Sequence, residues 1–566
     1  MTTHLALLRP SLPRLAAGGS LLLAVLLGAA VVLGTFGAGV VDPRATGWML
    51  AGPMGPDPVQ YWLGWTYFVS APWSWPLGLN PDYGMEIGSS IFYADAIPLL
   101  ALSFKALRGV IDVPQYWGLW LLGCGVLQAV FAWRLLGLAT SDPLARAAGA
   151  GLFALQPMLL NRMGGHLALS GQWTLLAALW LCLSEGRGAR RAGAWVLLGV
   201  VTSLIHAYLL AMVLGLWVAD LVARARPGWS RILSAELVAV PLIAGCGLWL
   251  AGFFALHSGM DAPGYGSLGL DLLAPFDATE WGSLLPGLPG ARHGESGGSY
   301  LGLGGLLLLA AAGLAWTRRA GPILGTFVRV RWPLLVMLLA MLGFAMTHRP
   351  SLGGLQITLF DPPGWALGLA GALRASERFF WPLGYAALLG AVALVVRVWG
   401  GRRAGLLLVV LLAVQAVDLR PALQRVHGLV AGAPREVPDR LSGPFWARAG
   451  EVYDRVRAVP AGNQGTDWAS IASFAIRHDL PTDAVYLARI DSGGVASLRA
   501  RVATALRSGR FESGTLYILR DAASVALAAN ALDPERDLLT EIDGLHVLAP
   551  DWLRILSRTG SALAIP

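Results

Sequence analysis

Long apolar runs alternate with short polar loops along roughly the first three quarters of the chain. A helix needs about 20 apolar residues to cross a bilayer. Several runs are shorter than this, so eleven spans is a working count. The pattern predicts an α-helical polytopic membrane protein with spans near 18–41, 115–138, 145–161, 167–184, 192–205, 208–223, 234–255, 301–317, 332–347, 378–397 and 404–419.

Arginine clusters in alternate loops orient these spans. Cytoplasmic loops are enriched in Lys and Arg, and with the eleven spans every cluster falls on the side of the N-terminus. We therefore predict a multi-pass protein of a bacterial inner membrane with a cytoplasmic N-terminus. Its outer loops then include a first loop at 42–114 and a second large loop at 256–300.

One apolar segment, residues 91–107, does not fit this pattern as a span. It contains Asp95, Pro98 and Lys105, and counting it as a span places the arginine cluster at 187–191 on the outer side. We predict instead that it forms a helix lying in the membrane interface, within the first outer loop.

The composition changes after residue 420, where the predicted transmembrane module (1–420) gives way to a linker rich in proline and charge (421–440). In the remaining residues, 441–566, short apolar stretches alternate with amphipathic ones. Strands alternating with helices predict a small parallel α/β domain, which the parity of the spans places in the periplasm. The predicted strands are 484–490, 515–519 and 545–549, and the predicted helices are 495–508 and 521–530.

Composition supports the membrane assignment. The chain is 55% hydrophobic and 13% charged, whereas soluble domains carry roughly a quarter charged residues. The net charge of +8 is almost all arginine in short loops, which favours topology signals over nucleic-acid binding. The three cysteines lie in separate apolar runs without metal-ligand spacing, so we expect neither a structural disulfide nor a cysteine metal site.

Asp57 follows the first apolar run and lies between two prolines, with aromatic residues after it. A carboxylate at the membrane edge is rare unless it is solvated, paired or used. We predict that Asp57 is a general base that takes a proton from an acceptor hydroxyl, with Gln60 as a neighbouring substrate-binding residue. The position of Asp57 before Pro58 also suits a helix N-cap, and the two roles are compatible.

Two outer loops carry further candidate binding residues. In the first loop, Asp95 is predicted to bind substrate or a divalent ion, or to pair with Lys105. In the second large loop, Glu295 and Tyr300 lie in a glycine-rich run that leads into a span. Long loops of this kind are usually functional or disordered, and the direct lead into a span favours an ordered lid.

Histidines occur at two predicted outer turns. Arg162 and His166 flank a Gly-Gly turn, where a cationic pair suits a phosphate or a sugar hydroxyl, and a polar turn that anchors at the interface is the alternative. His206 and Tyr208 lie between two short apolar runs and face an outer cavity if the chain turns there. Otherwise His206 is a satisfied packing residue.

Arg374 and Arg378 precede a span on its outer side, against the positive-inside bias. Their spacing of four predicts that both lie on one face of a helix start. Two cations near a helix N-terminus form an anion site that suits a lipid phosphate. The alternative is ordinary flanking charge with Glu377 as the partner.

Together these features resemble GT-C-type membrane glycosyltransferases, over about residues 1–420. The layout is similar to that of the lumenal glucosyltransferases that extend lipid-linked oligosaccharides, and more narrowly to a bacterial GT-C-like family. The resemblance rests on the outer arginine pair and on two short motifs, Asp57, Gln60 and Trp62 in the first loop and Gly165, His166 and Gln172 at a later turn.

The resemblance implies inverting transfer of a sugar from a polyprenyl-phosphate donor to a lipid or glycan acceptor. The family's first-loop acid then matches Asp57, and its phosphate-binding groups match Arg374 and Arg378, and less closely His166 and His206. The first loop lacks an Asp-x-Asp motif. A divalent cofactor, Mg²⁺ or Mn²⁺, is therefore left open.

A lipid or polysaccharide transporter or flippase without transferase activity is the alternative function. Transporters show repeated halves and interrupted helices with charges near the midplane. Here the candidate charges lie at one predicted face, and no repeat is visible in the sequence.

Overall fold

A computed structural model describes residues 14–186, 188–225, 228–256, 265–290, 298–319, 321–463 and 465–559 of the 566-residue chain. The chain divides into two compact units. Unit 1 contains Met1–Trp48, Tyr116–Cys246 and Asp261–Ala433, and unit 2 contains Met49–Gln115, Gly247–Met260 and Pro434–Pro566. Residues of the first predicted loop thus belong to the same unit as the C-terminal α/β region, and the predicted linker begins inside a helix that ends at Ala431.

Helices form most of the described structure. The strands are β1 (Ser351–Leu352), β2 (Leu355–Gln356), β3 (Arg455–Val459), β4 (Thr515–Leu519), β5 (Leu538–Ile542) and β6 (Leu545–Ala549). The helices are α1 (Arg14–Phe36), α2 (Gly47–Leu50), α3 (Asp57–Ser70), α4 (Pro98–Ala106), α5 (Trp117–Leu136), α6 (Pro143–Ala154), α7 (Pro157–Met163), α8 (Trp173–Leu183), α9 (Ala189–Ser203), α10 (Ala207–Ala225), α11 (Arg231–Leu250), α12 (Leu303–Arg319), α13 (Gly321–Met346), α14 (Gly364–Gly371), α15 (Trp381–Trp399), α16 (Gly401–Ala431), α17 (Pro444–Val452), α18 (Trp468–Arg477), α19 (Ser492–Ser508), α20 (Ala522–Ala531) and α21 (Trp552–Thr559).

Among the described residues, six helices are long and apolar enough to cross a membrane, which indicates a membrane-associated protein. The predicted count of eleven spans is not confirmed, because other apolar segments form shorter helices. The predicted span 145–161 divides into α6 and α7, since Pro157 lacks an N–H and starts a new helix. The six candidates are Ala16–Phe36, Trp117–Leu136, Ala207–Ala225, Arg231–Leu250, Ser376–Trp399 and Gly401–Ala431.

Small residues allow the helices of unit 1 to pack closely. Helix α1 packs against α5 at Gly28 and Gly125, where a Cβ on Gly28 would lie only 2.4 Å from the Gly125 carbonyl oxygen. Contacts of this type are common where membrane helices associate, because close backbone approach increases van der Waals contact. Helices α6 and α16 complete this group by packing on α1 and on each other.

A buried network of charges joins helices α9, α10 and α11 in unit 1. Asp220 accepts hydrogen bonds from Arg191 Nε (3.0 Å), Trp195 Nε1 (2.8 Å) and Arg224 Nε (2.8 Å). Arg224 also donates to Glu236 through Nη1 at 2.9 Å. Asp220 and Glu236 are 2% and 1% exposed, so each carboxylate depends on these donors to offset the loss of water.

We expect Asp220→Asn to destabilise unit 1 by about 2 to 3 kcal/mol, because it leaves Arg191 and Arg224 buried with less countercharge while the amide keeps one acceptor oxygen. The thermal unfolding midpoint in detergent measures this. Glu451→Gln is a control, since the Glu451 side chain is 63% exposed in its pair with Arg448 and the loss of this pair should shift the midpoint little. Equal midpoints for the two variants would show that the network does not stabilise the bundle.

The C-terminal part of unit 2 confirms the predicted α/β region but not its parallel sheet. Four strands lie in the order β3-β4-β6-β5. Strand β3 is parallel to β4, whereas β6 is antiparallel to both β4 and β5. A core that includes Phe445, Trp446, Phe474 and Trp552 packs against one face of this sheet.

The predicted strand 484–490 is wrong. Both backbone groups of Leu487 pair with the Asn463 side-chain amide, and the Ala488 N–H donates to the Tyr93 carbonyl. The segment therefore satisfies its backbone outside the sheet, although Ala484, Val485 and Leu487 are buried as in a strand.

Residues of the first predicted loop are tied to the C-terminal region within unit 2. The Tyr67 hydroxyl lies 3.2 Å from the carbonyl oxygens of Ala472 and Leu480. Arg457 of β3, which is fully buried, donates to Asp483 (2.9 Å), Glu86 (3.1 Å) and Glu512 (3.0 Å). Partial burial alone would raise the pKa of Glu86, but the hydrogen bonds from Arg457 lower it to about 2.

The predicted interfacial helix 91–107 is shorter than expected. Asp95 and Ile97 have positive φ, and helix α4 begins only at Pro98, whose fixed φ suits the first helical position. Nine residues give a length of about 14 Å, too short to cross a bilayer. Asp95 therefore lies in the turn before the helix.

Lys105 on α4 lies against the residues that follow α3. Its Nζ donates to the Pro72 carbonyl at 3.3 Å and lies 4.0 Å from the Phe68 ring centroid and 4.7 Å from that of Trp73. Burial, together with the nearby Arg108, lowers the pKa of Lys105 to about 8. Lys105 thus contacts a backbone carbonyl and two aromatic rings.

Because Lys105 is the single lysine of the chain, protein labelled with [ε-¹³C]lysine should give one resonance that titrates near pH 8. Between about pH 8 and 10.5 the unfolded chain then binds more protons at this side chain, so its contribution to stability rises with pH. A midpoint near 10.5 would show that the amine is solvated and would contradict this environment. Urea-unfolded protein provides the reference titration.

Candidate functional site

The segment that carries Arg374 and Arg378 links α14 to α15 in unit 1. Arg374 lies in irregular structure just after a turn, Arg378 lies in a short 3-10 helix (Ser376–Phe380), and α15 begins at Trp381. The prediction that both arginines share one face of an α-helix is therefore wrong. Pro382 lacks an N–H and is favoured in the first turn of a helix, which fits the start of α15 beyond both arginines.

Arg378 is buried, with 7% of its surface exposed. Its guanidinium carbon lies 4.6 Å from the centroid of the Tyr208 ring, a cation–π contact. The Tyr208 hydroxyl accepts the Ala375 N–H at 3.0 Å, which fixes the ring against this segment. The predicted candidates Tyr208 and Arg378, which are far apart in sequence, thus meet in the fold.

His206 lies beside them at the start of α10. Its Nδ1 accepts the Tyr208 N–H at 3.1 Å, and the two rings lie 5.5 Å apart. In the neutral imidazole this bond places the proton on Nε2, which is then a donor. Helix α10 begins at Ala207 and α15 begins at Trp381, so both helices start next to these residues. The N-terminal end of a helix is the positive end of its dipole and favours an anion.

Gly298 and Ser299 are hydrogen-bonded to this segment. Ser299 Oγ donates to Glu377 at 2.6 Å, and Trp381 Nε1 donates to the Gly298 carbonyl at 2.8 Å. The Tyr300 hydroxyl donates to Asp418 at 3.2 Å. Tyr300 is therefore buried and bonded to α16, and Glu295 of the same predicted lid lies outside the described residues.

Arg162 lies near the same segment, whereas His166 lies at the start of a short 3-10 helix. The Arg162 guanidinium carbon lies 5.9 Å from the Trp381 ring centroid, and the residue is 3% exposed. His166 is half-buried and precedes a short 3-10 helix, Leu167–Ser170. The structure thus places Arg162, His206, Tyr208 and Arg378 around residues 374–381. We call these four residues the arginine cluster.

An apolar groove of about 290 Å³ adjoins the arginine cluster within unit 1. Phe379 connects the two, with its ring 6.4 Å from that of Tyr208 and 4.7 Å from that of Phe344. No motif marked this groove in the sequence, because its residues read as ordinary core positions. Its walls include Ala211, Gly215, Met337, Met341, Phe344, Leu373 and Phe379.

A histidine that was not among the predicted site residues lies near the groove. His348 is 6% exposed, and its Nδ1 has no hydrogen-bond partner among the described residues. Its ring stacks on Tyr265 at 5.8 Å, and Tyr265 contacts Phe344 of the groove at 5.2 Å. A buried polar atom without a partner is rare, and a polar residue just after a span end was the available sequence signal.

Buried cations beside an apolar groove suit an amphiphile with an anionic head. Guanidinium groups bind phosphate oxygens through fixed donors, and an apolar wall accepts hydrocarbon. The arginine cluster and the groove are thus chemically matched to a lipid phosphate. Among the described residues, no three of His, Cys, Asp and Glu are grouped as metal ligands.

The predicted base and its neighbours belong to unit 2. Asp57 is the first residue of α3 and half-buried, with Pro56 at the N-cap. Gln60 is 3% exposed and donates to the Tyr93 carbonyl at 3.0 Å, which holds the turn that carries Asp95. Gln60 thus makes a structural hydrogen bond, whereas Asp57 and Asp95 are half-buried.

Two family models match the sequence. One is the domain of unknown function DUF6311, over residues 25–420. The other is the DUF6311 C-terminal domain, over residues 445–550. No curated protein matches the chain. The first match includes Asp57 and every residue of the arginine cluster.

Proposed function

We propose that this chain, which belongs to the DUF6311 family, is an inverting glycosyltransferase. It would move a sugar from a polyprenyl-phosphate donor to a lipid or glycan acceptor. We place the reaction at the periplasmic face of a bacterial inner membrane, with a cytoplasmic N-terminus and a periplasmic C-terminal region. Reporter fusions after residues 189 and 440, expected inside and outside respectively, test this orientation.

The observation that carries the proposal is the buried Arg378 at the edge of the apolar groove. It lies 4.6 Å from the Tyr208 ring centroid, and Phe379 follows it in the groove wall. A polyprenyl phosphate has the same two parts, an anion and a branched hydrocarbon. Arg378 would bind the phosphate, and the groove would hold the first isoprenoid units.

In the proposed reaction, Asp57 removes the proton from the acceptor hydroxyl. The oxygen attacks the anomeric carbon from the side opposite the phosphate, which inverts the configuration. The bond from that carbon to the phosphate oxygen breaks, and polyprenyl phosphate leaves with the electron pair. Arg378, supported by His206 and Arg374, would stabilise the charge that develops on the leaving oxygen.

The direct test uses purified protein in liposomes with a panel of radiolabelled polyprenyl-phosphate sugars and an envelope extract as the acceptor source. We expect labelled product with inverted configuration and an equal amount of released polyprenyl phosphate. Movement of an intact donor across the bilayer without cleavage of the sugar–phosphate bond would instead identify a transporter. That outcome would overturn the transferase while leaving the lipid-phosphate site in place.

A further inference from the structure

The segment 351–371 exposes large apolar side chains although it is not a membrane span. Leu359 is 64% exposed, Phe360 60%, Trp365 72% and Leu369 72%. Asp361 is the single charged residue between positions 350 and 373. Monomeric soluble proteins rarely expose contiguous apolar surface of this kind, which marks sites of interaction.

Hydrogen bonds hold this segment in a defined conformation. The Gly353 N–H lies 3.2 Å from both carboxylate oxygens of the fully buried Asp271. The Leu272 N–H donates to the Ser351 carbonyl, and the Leu359 N–H donates to the His348 carbonyl. The apolar side chains therefore project from an ordered hairpin and helix α14.

Short connections tether the segment to apolar helices at both ends. Helix α13 ends at Met346, five residues before Ser351, and the candidate span Ser376–Trp399 begins five residues after Gly371. Five extended residues reach about 18 Å at most. The segment is thus confined between the end of a shorter apolar helix, Val330–Met346, and the start of a candidate membrane span.

We propose that residues 351–371 form an apolar finger that inserts into the membrane, with acyl chains as the partner of Leu359, Trp365 and Leu369. The near absence of charge suits hydrocarbon, and a tryptophan suits the boundary with the headgroups. This inference is independent of the proposed transferase reaction, because it concerns the position of the segment in lipid.

The test places a nitroxide label on Leu359→Cys or Trp365→Cys in full-length protein in liposomes. The background is Cys246→Ser, because Cys246 is exposed while Cys124 and Cys182 are buried. Collision with oxygen, which concentrates in lipid, is compared with collision with a water-soluble nickel chelate. Glu280→Cys is the matched control, since Glu280 is a polar loop residue with 81% of its side chain exposed.

We expect the labels at 359 and 365 to collide several-fold more with oxygen than with the nickel chelate, and the label at 280 to show the reverse. Labels at 359 and 365 that behave like the label at 280 would overturn the proposal. Low collision with both reagents, together with dipolar broadening between labels, would also overturn it and indicate that a second copy covers the finger. Circular dichroism of each variant shows that the exposed substitutions leave the helical fold intact.

Discussion

Arg378→Gln is expected to raise the Kd for a polyprenyl-phosphate donor by roughly 30-fold to 4,000-fold. Removing one member of a buried charge pair costs about 2 to 5 kcal/mol in binding. Arg378 is buried beside Tyr208, so solvent would screen its contact with the phosphate only weakly. Equilibrium binding of a short-chain polyprenyl phosphate to purified protein measures the effect.

Two further variants show whether the guanidinium itself is needed. Arg378→Lys keeps the charge but loses the planar donors, and we expect it to recover only part of the affinity. Arg349→Gln removes an exposed arginine from the same unit and should leave the Kd unchanged. If Arg378→Gln and Arg349→Gln bind the lipid phosphate equally well, the arginine cluster is not the phosphate site.

The local elements of the fold could be read from the sequence where a short pattern decides them. Strands β4 and β6 match the predicted 515–519 and 545–549, and helices α19 and α20 lie within three residues of prediction. In each of these elements, the spacing of the apolar residues indicates the secondary structure without information from the rest of the chain. Strand β3 was not predicted, because an arginine such as Arg457 is normally expected at a solvent-exposed position. In the fold, Glu86 and other acids distant in sequence neutralise its charge.

Part of the candidate site could also be predicted from local sequence patterns. His206, Tyr208 and Arg378 could be selected as polar residues at the ends of apolar runs, and the structure brings these three together. The groove could not be predicted, because Phe344 and Phe379 are apolar residues in apolar surroundings. Only tertiary packing shows that α10, α13 and the segment before α15 leave a space between them.

The relation between Arg374 and Arg378 shows where periodicity fails. A spacing of four indicates one helix face only if an α-helix runs through both positions. Here irregular structure at Arg374 gives way to a 3-10 helix at Ser376, so the burial of the two arginines differs, with Arg374 half-buried and Arg378 buried. The binding role is therefore assigned first to Arg378.

Asp57→Asn is expected to lower the turnover number for sugar transfer by about 10² to 10⁴, the range for loss of a general base. The amide is similar in size, so α3 should still begin at residue 57, but it cannot accept a proton. The Kd for polyprenyl phosphate should stay unchanged, because the phosphate is assigned to the arginine cluster. Single-turnover transfer from a radiolabelled donor measures the chemical step directly.

Asp112→Asn is the matched control, since Asp112 is an exposed carboxylate in the same predicted loop. It should transfer sugar at the wild-type rate. Transfer by Asp57→Asn at that same rate would remove Asp57 as the base. A parallel loss of transfer and lipid binding in Asp57→Asn would indicate a structural role instead, because a general base contributes to the proton transfer and not to donor affinity.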